Sequence, residues 1–337
     1  MIEHRRREPA ADIFRLVLPL PFPGLDRVNA YLMRDDDGIT LVDCGIYDPA
    51  PDRDHGWVDL VAALEVCGVG PADVGRLIVT HPHIDHYGMA ARLVEEIGCE
   101  LWMHEASEEE LQMYEAPEEI TNRMREMLAD HGVDPGDVDD LTAFEDWRSH
   151  VSGVVRASRA LSGGETFKAA GREWEVVYTP GHSRSHICLS AAEDRILVSG
   201  DHLLPAITPH IDFRRGEARD PLGEFLESLE KVERLDPQLV LPGHGRPFDE
   251  GAERARINAR HHDRRLGSIL QIIRREPHTA SEITDEIWGT ALLDFQRRLA
   301  LGEALAHLAY LVKRGEVERI ERDGTLLYKK TDRRSAS

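Results

Sequence analysis

The chain has 337 residues, and its 62 acidic against 41 basic side chains give a formal net charge of −21. This length allows a large core and two domains. No apolar run approaches the ~20 residues that a membrane helix needs, so we expect no membrane protein. The basic start lacks a following apolar segment, so no export signal is predicted.

Four cysteines occur far apart in the sequence, and none forms a CxxC pair. They are Cys44, Cys67, Cys99 and Cys188. This spacing is typical of small buried residues in a reducing compartment rather than of a disulfide framework. We therefore predict a cytoplasmic protein.

The first predicted elements form a β-hairpin. Two strand-like runs, VNAYLMR and ITLV, flank an Asp37-Gly38 dipeptide that is typical of a tight turn. The second run ends at Asp43, in TLVDCG.

The next strand leads directly into a cluster of polar side chains. The run RLIVT at residues 76–80 is short and β-branched, and Pro82 prevents its ladder from continuing. A helix is predicted from Gly88 to Gly98. The loop between strand and helix contains His81, His83, Asp85 and His86.

Three later strand ends repeat this placement. A β-rich run precedes His182 in TPGHS, Asp201 in SGD and His244 in PGHG, each time with an adjacent glycine. One histidine after a strand is usually an ordinary loop residue, but four clusters at strand ends favour one shared site. Imidazole and carboxylate are ligands that zinc accepts, and the spacing suits two adjacent metal ions.

An acidic segment at about residues 105–160 lies between two predicted strands. Residues 107–110 are predicted to form a capping box, and a helix that ends at Gly132 has an apolar face. We hypothesise a helical lid over an acyl or aromatic substrate group; the alternative is that its apolar residues only anchor the insert. Those residues are Met113, Tyr114, Met124, Met127, Phe144 and Trp147; the apolar face of the helix consists of Ile120, Met124, Met127 and Leu128.

Residues 254–337 are predicted to form three helices and a hairpin that turns at Asp323-Gly324, as in a winged helix. They contain 17 basic and 12 acidic residues, so residues 1–253 contain 24 basic and 50 acidic residues. An acidic body repels a polyanion, so nucleic acid is not the expected partner. We favour packing or homodimerisation for this domain.

The motifs from Asp43 to His244 resemble the metallo-β-lactamase-fold hydrolase superfamily, and most of all its glyoxalase II-like branch. The resemblance implies an α/β fold, an αββα sandwich of two mixed sheets packed face to face with helices outside. We expect this catalytic domain at residues 1–253, with the helical insert, and a winged-helix-like domain at 254–337.

The same resemblance implies the metal ligands. His81, His83 and His182 would hold a first metal, Asp85, His86 and His244 a second, and Asp201 would bridge both. Asp43 would support the metal loop, with an ordinary turn aspartate as the alternative. Two zinc ions are the expected cofactors, with iron or manganese as alternatives.

A dinuclear site of this kind implies a mechanism. The metals would activate a water molecule, whose hydroxide attacks a substrate carbonyl. Asp85 would orient the hydroxide and take its proton. His202 and His210 follow Asp201, and His210 in AITPHIDF would act as an acid or substrate donor, with an ordinary loop histidine as the alternative.

Departures from the family pattern narrow the expected reaction. Antibiotic-degrading members usually lack a histidine at the place of His86, and flavin-linked members have a glutamate at the place of His83. We expect a thioester or lactone hydrolase with a small acyl substrate. No obvious basic cluster for a glutathione or coenzyme A tail lies near the motifs, although Arg184, Arg214 and Arg215 could serve one. The alternatives are an endoribonuclease or phosphodiesterase, and a mononuclear iron persulfide dioxygenase, which shares HxHxDH.

Overall fold

The computed structural model describes residues 8–22, 24–36, 38–49, 54–143, 147–213 and 220–331. The chain forms two compact units. The first comprises Met1–Glu115, Trp147–Pro209 and Ser228–Ala255. The second comprises Ala116–Asp146, His210–Glu227 and Arg256–Ser337.

The first unit contains a six-stranded sheet whose strands follow one another in chain order. They are β1 (Ile13–Phe22), β2 (Leu25–Asp35), β3 (Gly38–Val42), β4 (Val74–Ile78), β5 (Glu100–His104) and β6 (Arg159–Leu161). The first three strands are antiparallel, and the pairs from β3 to β6 are parallel. The carboxyl ends of β3, β4 and β5 therefore meet at one edge of the sheet.

A five-stranded sheet is the second layer of this unit, in the order β11-β10-β9-β8-β7. Its strands are β7 (Thr166–Ala169), β8 (Arg172–Tyr178), β9 (Ile187–Ala191), β10 (Ile196–Gly200) and β11 (Leu239–Pro242). The strands predicted before His182, Asp201 and His244 are thus confirmed as β8, β10 and β11.

The core between the two sheets explains why their strands are apolar on both faces. In β2, Tyr31 and Met33 face the core that contains Trp174 of the second sheet. The alternate residues Ala30 and Leu32 belong to the core on the opposite face. A sheet that is covered on both sides produces this continuous apolar run instead of a polar alternation.

Helices cover the outer faces of both sheets. Helices α1 (His55–Val66), α2 (Ile84–Tyr87) and α3 (Ala90–Ile97) contribute buried residues to the core on the outer face of the first sheet. Helix α8 (Pro221–Leu235) contacts the end of β8, where the Lys231 amine donates a hydrogen bond to the Tyr178 carbonyl. This layering is the predicted αββα sandwich.

The insert begins with two short helices, α4 (Ser107–Glu110) and α5 (Gln112–Glu115). The predicted capping box is wrong, because Ala106 precedes the helix and makes no side-chain cap. Met113, Tyr114 and Trp147 belong to, or pack against, the core of the first sheet. These contacts match the anchoring alternative, and the lid stays a prediction.

The second unit contains the middle of the insert and the C-terminal segment. Its helices are α6 (Pro117–Asp130), α7 (Val138–Thr142), most of α9 (Gly251–Ile272), α10 (Ala280–Trp288) and α11 (Asp294–Lys313). Its strands are β12 (His278–Thr279), β13 (Val317–Arg322) and β14 (Thr325–Lys330), in the order β12-β14-β13. The predicted boundary between residues 253 and 254 falls within α9.

The predicted turn at Asp323-Gly324 is confirmed. Arg322 pairs with Thr325, and both residues between them have positive φ angles of 52° and 79°. A two-residue loop of this type matches the twist of its strands.

Two details at strand ends differ from the sequence analysis. Asp37 lies outside the described residues, and Gly38 is the first residue of β3, opposite Asp35. Strand β4 ends at Ile78 rather than at Thr80, because the Thr80 amide donates to the Asp43 carboxylate instead of continuing the ladder.

None of the helices in the described stretches has both the length and the apolar character to cross a membrane. Phe144, which the lid hypothesis includes, lies outside these stretches. The cytoplasmic location and the homodimer stay predictions.

The start of α10 yields a stability prediction. Thr279 accepts from the Glu282 amide and Glu282 accepts from the Thr279 amide, which is a complete capping box. Thr279→Ala should lower the free energy of unfolding by about 1 kcal/mol in chemical denaturation. Ser268→Ala removes a mid-helix hydroxyl as a control, and an equal loss in both variants would contradict the capping role.

Candidate metal centre

Three histidine rings converge where β4 and β8 end. The Nε2 atom of His81 lies 3.0 Å from Nδ1 of His83, and Nε2 of His182 lies 3.1 Å from the same Nδ1. Three ring nitrogens this close to one another form a set of ligands for one cation.

A second group lies beside the first. Nε2 of His244 is 3.2 Å from a carboxylate oxygen of Asp85, and Nε2 of His86 is 3.7 Å from the same residue. The ligand atoms of these three residues all lie within 4.8 Å of one another. A mixed nitrogen and oxygen set of this kind suits a divalent transition metal.

Asp201 lies between the two groups. Its carboxylate is 3.3 Å from Nε2 of His244, 3.5 Å from Nε2 of His86 and 3.7 Å from Nε2 of His182. One carboxylate therefore reaches residues of both groups, as a bridging ligand must.

Two atoms at the centre have no hydrogen-bond partner among the described residues. Nε2 of His86 and Oδ1 of Asp201 are both fully buried. An unpaired buried polar atom costs about 1–3 kcal/mol, so such atoms normally have a partner. Metal ions would satisfy both atoms, and the residues fit a dinuclear site.

Asp43 orients the histidines from behind. Its carboxylate accepts from the Thr80 amide at 2.8 Å, from the Thr80 hydroxyl at 2.9 Å and from Nδ1 of His86 at 2.7 Å. Because Nδ1 of His86 donates to Asp43, its Nε2 is the nitrogen that faces the ligand group, and a metal that binds there displaces the proton of this atom. Asp43 has a φ angle of 60°, in the left-handed region that few residues other than glycine adopt. These contacts favour the supporting role over that of a turn aspartate.

The loop that contains His244 is held by hydrogen bonds to backbone carbonyls and by the close packing of Gly243 against Asp201. Nδ1 of His244 donates to the Arg27 carbonyl at 2.8 Å, and Asn29 donates to the Pro242 carbonyl at 2.7 Å. A Cβ atom at Gly243 would lie 2.3 Å from Oδ1 of Asp201, so only glycine fits there.

The sequence analysis missed His186. It is fully buried; its Nδ1 lies 2.8 Å from the Thr179 hydroxyl, and its Nε2 accepts from the Asp201 amide at 3.1 Å. His186 thus fixes the backbone of Asp201. Its position four residues after His182, directly before β9, was the available signal.

The charges of the site suit cation binding. Burial works against ionisation of Asp201, but His244 and His86 outweigh it and hold the pKa of Asp201 well below its ordinary value. The pKa of Asp85 falls to about 2, since His86 and His244 outweigh its burial. Burial lowers the pKa of His81, which keeps this ring neutral, as a ligand must be.

His210 lies in the second unit, where its ring is 3.7 Å from Asp212 and 3.9 Å from Glu303. Burial disfavours its charge, but both carboxylates outweigh burial and raise the pKa of His210 to about 9. Its role as an acid or substrate donor stays a prediction. Arg214 and Arg215 lie outside the described residues. His202 is fully buried, and burial lowers its pKa to about 3.

Comparison with known proteins identifies the family. The family model of the metallo-beta-lactamase superfamily matches residues 23–244, which is more than half of the chain. The chain belongs to the metallo-beta-lactamase superfamily. A second model, the metallo-beta-lactamase-like C-terminal domain, matches residues 266–331. The chain is therefore a metal-dependent hydrolase of this superfamily.

Relatives of the superfamily include proteins that match along almost the whole chain. Probable metallo-hydrolase YqjP of Bacillus subtilis is 28% identical over 89% of this chain and 92% of its own length. The crystal structure of a beta-lactamase domain protein from Burkholderia ambifaria is 32% identical, with a TM-score of 0.82, and covers 96% of this chain and 93% of its own. The αββα fold and the C-terminal domain are thus confirmed.

A shorter match concerns the atrochrysone carboxyl ACP thioesterase of Aspergillus fumigatus. It is 27% identical over 129 residues, which are 37% of this chain and 38% of that protein.

The role of Asp43 can be tested by substitution. In Asp43→Asn the amide would place an N–H group against Thr80 or His86, which are themselves donors. We expect metal affinity to fall about 10–100-fold in chelator competition. Asp35→Asn, on a half-buried aspartate that accepts from the Gly171 amide, is the control. Unchanged affinity in Asp43→Asn would contradict the supporting role.

His210 provides a prediction about pH. Its folded pKa lies above its ordinary value of 6.5, so the stabilisation is present below about pH 6.5 and is lost as pH rises through about 9. His210→Gln should lower the free energy of unfolding by about 3 kcal/mol at pH 6, and by much less at pH 10. A loss independent of pH in denaturation curves, or an equal loss in the control His278→Gln, would refute the ion-pair explanation.

Proposed function

We propose that this superfamily member hydrolyses a thioester or lactone of a small acyl compound at a dinuclear zinc centre. The observation that carries the proposal is the shared position of Asp201 between two groups of three ligands. The mononuclear dioxygenases share the HxHxDH string with this chain, and metal content and oxygen uptake separate them from a dinuclear hydrolase.

The ligand groups define the chemistry. Bound metal ions lower the pKa of water and polarise a carbonyl oxygen. His81, His83 and His182 would hold one ion, and Asp85, His86 and His244 the other. The nitrogen-rich first group suits zinc, and it suits iron equally, whereas manganese prefers oxygen ligands.

Asp85 is the proposed acceptor of the proton that leaves the water. Its carboxylate is buried and ionised, and it lies 3.2 Å from His244 at the edge of the second group. His86 and His244 hold their other ring nitrogens against Asp43 and the Arg27 carbonyl, so they keep their orientation while the proton moves.

Two observations support an acyl substrate. A thioesterase is among the relatives, although it matches only 38% of its own length. The acidic composition of residues 1–253 disfavours polyanionic substrates. Arg184 lies two residues after His182, but its side chain pairs with Glu109.

Phosphodiester hydrolysis is the second candidate. Its support is the C-terminal arrangement of helices and a β-hairpin, which follows the pattern of winged-helix nucleic-acid-binding domains. The excess of basic residues at 254–337 points the same way.

A hydrolysis panel tests the proposal. Zinc-reconstituted full-length protein would be assayed with acyl thioesters, lactones and single-stranded RNA. We expect turnover of a thioester or lactone, and we expect Asp201→Asn to lower kcat at least 100-fold, because the bridging carboxylate and the second metal are lost together.

Asp194→Asn provides the matched control, since this carboxylate pairs with Arg172 away from the ligands. RNA cleavage without acyl turnover would replace the proposal by the second candidate. Full activity in Asp201→Asn would overturn the dinuclear assignment itself.

A further inference from the structure

The first two helices of the insert contact both loops that contribute the first histidine group. The Tyr114 hydroxyl in α5 donates to the Pro82 carbonyl at 2.6 Å, between His81 and His83. This contact fixes the backbone of the first loop from the side of the insert.

Glu110 in α4 binds the second loop. One of its carboxylate oxygens accepts from the Ser185 amide at 2.8 Å, the Ser185 hydroxyl at 2.5 Å and the Ser183 hydroxyl at 2.8 Å. The other oxygen accepts from the Arg184 amide at 3.2 Å. Four donors directly after His182 thus converge on one carboxylate.

These contacts are built on a rigid base. Tyr114 is 1% exposed and stacks on Tyr87, with ring centroids 6.1 Å apart. Ser183 and Ser185 are also buried. Hydrogen bonds to a charged acceptor are stronger than neutral ones, and burial protects them from competition by water.

We propose that residues 107–115, which we call the insert clamp, position His81, His83 and His182, so that the affinity of this group for its metal depends on Glu110 and Tyr114. The inference rests on the metal centre of the proposed function. Glu110 and Tyr114 act through the loops as positioning residues, and neither is placed as a ligand.

The second ligand group has other supports. His86 is held by Asp43, and His244 is held by the Arg27 carbonyl. The insert clamp should therefore act on one metal of the two. A ligand group must be held within about 0.5 Å of its productive geometry, so a released loop loses affinity.

Metal binding provides the test. Full-length wild-type protein, Glu110→Gln and Tyr114→Phe would be stripped, reloaded with Zn²⁺ and titrated with a chelator. We expect wild type to hold two equivalents. We expect Glu110→Gln to bind one of them at least tenfold more weakly, because a glutamine has one acceptor oxygen and turns an N–H group towards donors. Tyr114→Phe should weaken the same equivalent by a smaller factor.

Co²⁺ loading adds a readout that a general loss of stability would not produce. The visible absorption of the weakened site should change in Glu110→Gln, while that of the other site is retained. Ser185→Ala removes a single donor and should shift the affinity in the same direction by a smaller factor. It keeps the test decisive if Glu110→Gln fails to fold.

Matched controls come from neighbouring residues of the same type. Glu108→Gln alters a carboxylate on the same helix that pairs with Arg156 instead of with either ligand loop. Tyr310→Phe removes a tyrosine hydroxyl in the second unit. We expect both to retain two tightly bound equivalents.

The outcomes separate this inference from the proposed function. Wild-type protein that binds no metal would refute the metal centre and, with it, the clamp. If wild type, Glu110→Gln and Ser185→Ala all bind two equivalents, and the affinities and Co²⁺ spectra do not differ between the three proteins, the clamp alone is overturned. An equal loss in Glu108→Gln would also overturn it, since the effect would then follow the charge of the helix and not the contacts with the loop.

Discussion

The carboxylate of Asp43 joins two strand ends and two histidines. It accepts from Thr80, two residues after β4, and from His86 in the following helix, and the Thr80 hydroxyl in turn lies 3.0 Å from Nδ1 of His81. One buried acceptor thus determines the orientation of a ring in each ligand group. The parallel pairing of β3 and β4 makes this possible, because it brings the two carboxyl ends to the same edge.

Short-range sequence patterns predicted the secondary-structure elements that depend on neighbouring residues. Short β-branched runs predicted the strands before the ligands, and the family motifs predicted which polar residues would meet. The hydrogen-bond partners of Glu110 could not be predicted in this way. Its spacing from Ser107 matches a capping box, but its partners lie 73–75 residues further along the chain. Four hydrogen bonds from the distant loop stabilise this carboxylate more than one local capping bond would. No local sequence pattern indicates such long-range contacts.

The role of His186 and the start of α9 could not be predicted from local sequence either. A single buried histidine before a strand has no distinctive pattern, and its contact with the Asp201 amide depends on how β9 and β10 pair. The helix α9 begins at Gly251, and its first residues belong to the first compact unit while the others belong to the second. The amino-acid composition becomes more basic after residue 254, but the helical backbone continues without a break at this position.

The contact between Gly243 and the carboxylate of Asp201 leaves no space for a side chain. Position 243 is therefore closed to variation in any effort to alter what this protein acts on. Surface residues of the insert, such as Glu118 and Asn122, are not bound by that limit. Directed evolution of this scaffold would have to keep the glycine, which holds the geometry around the Asp201 carboxylate constant from one variant to the next.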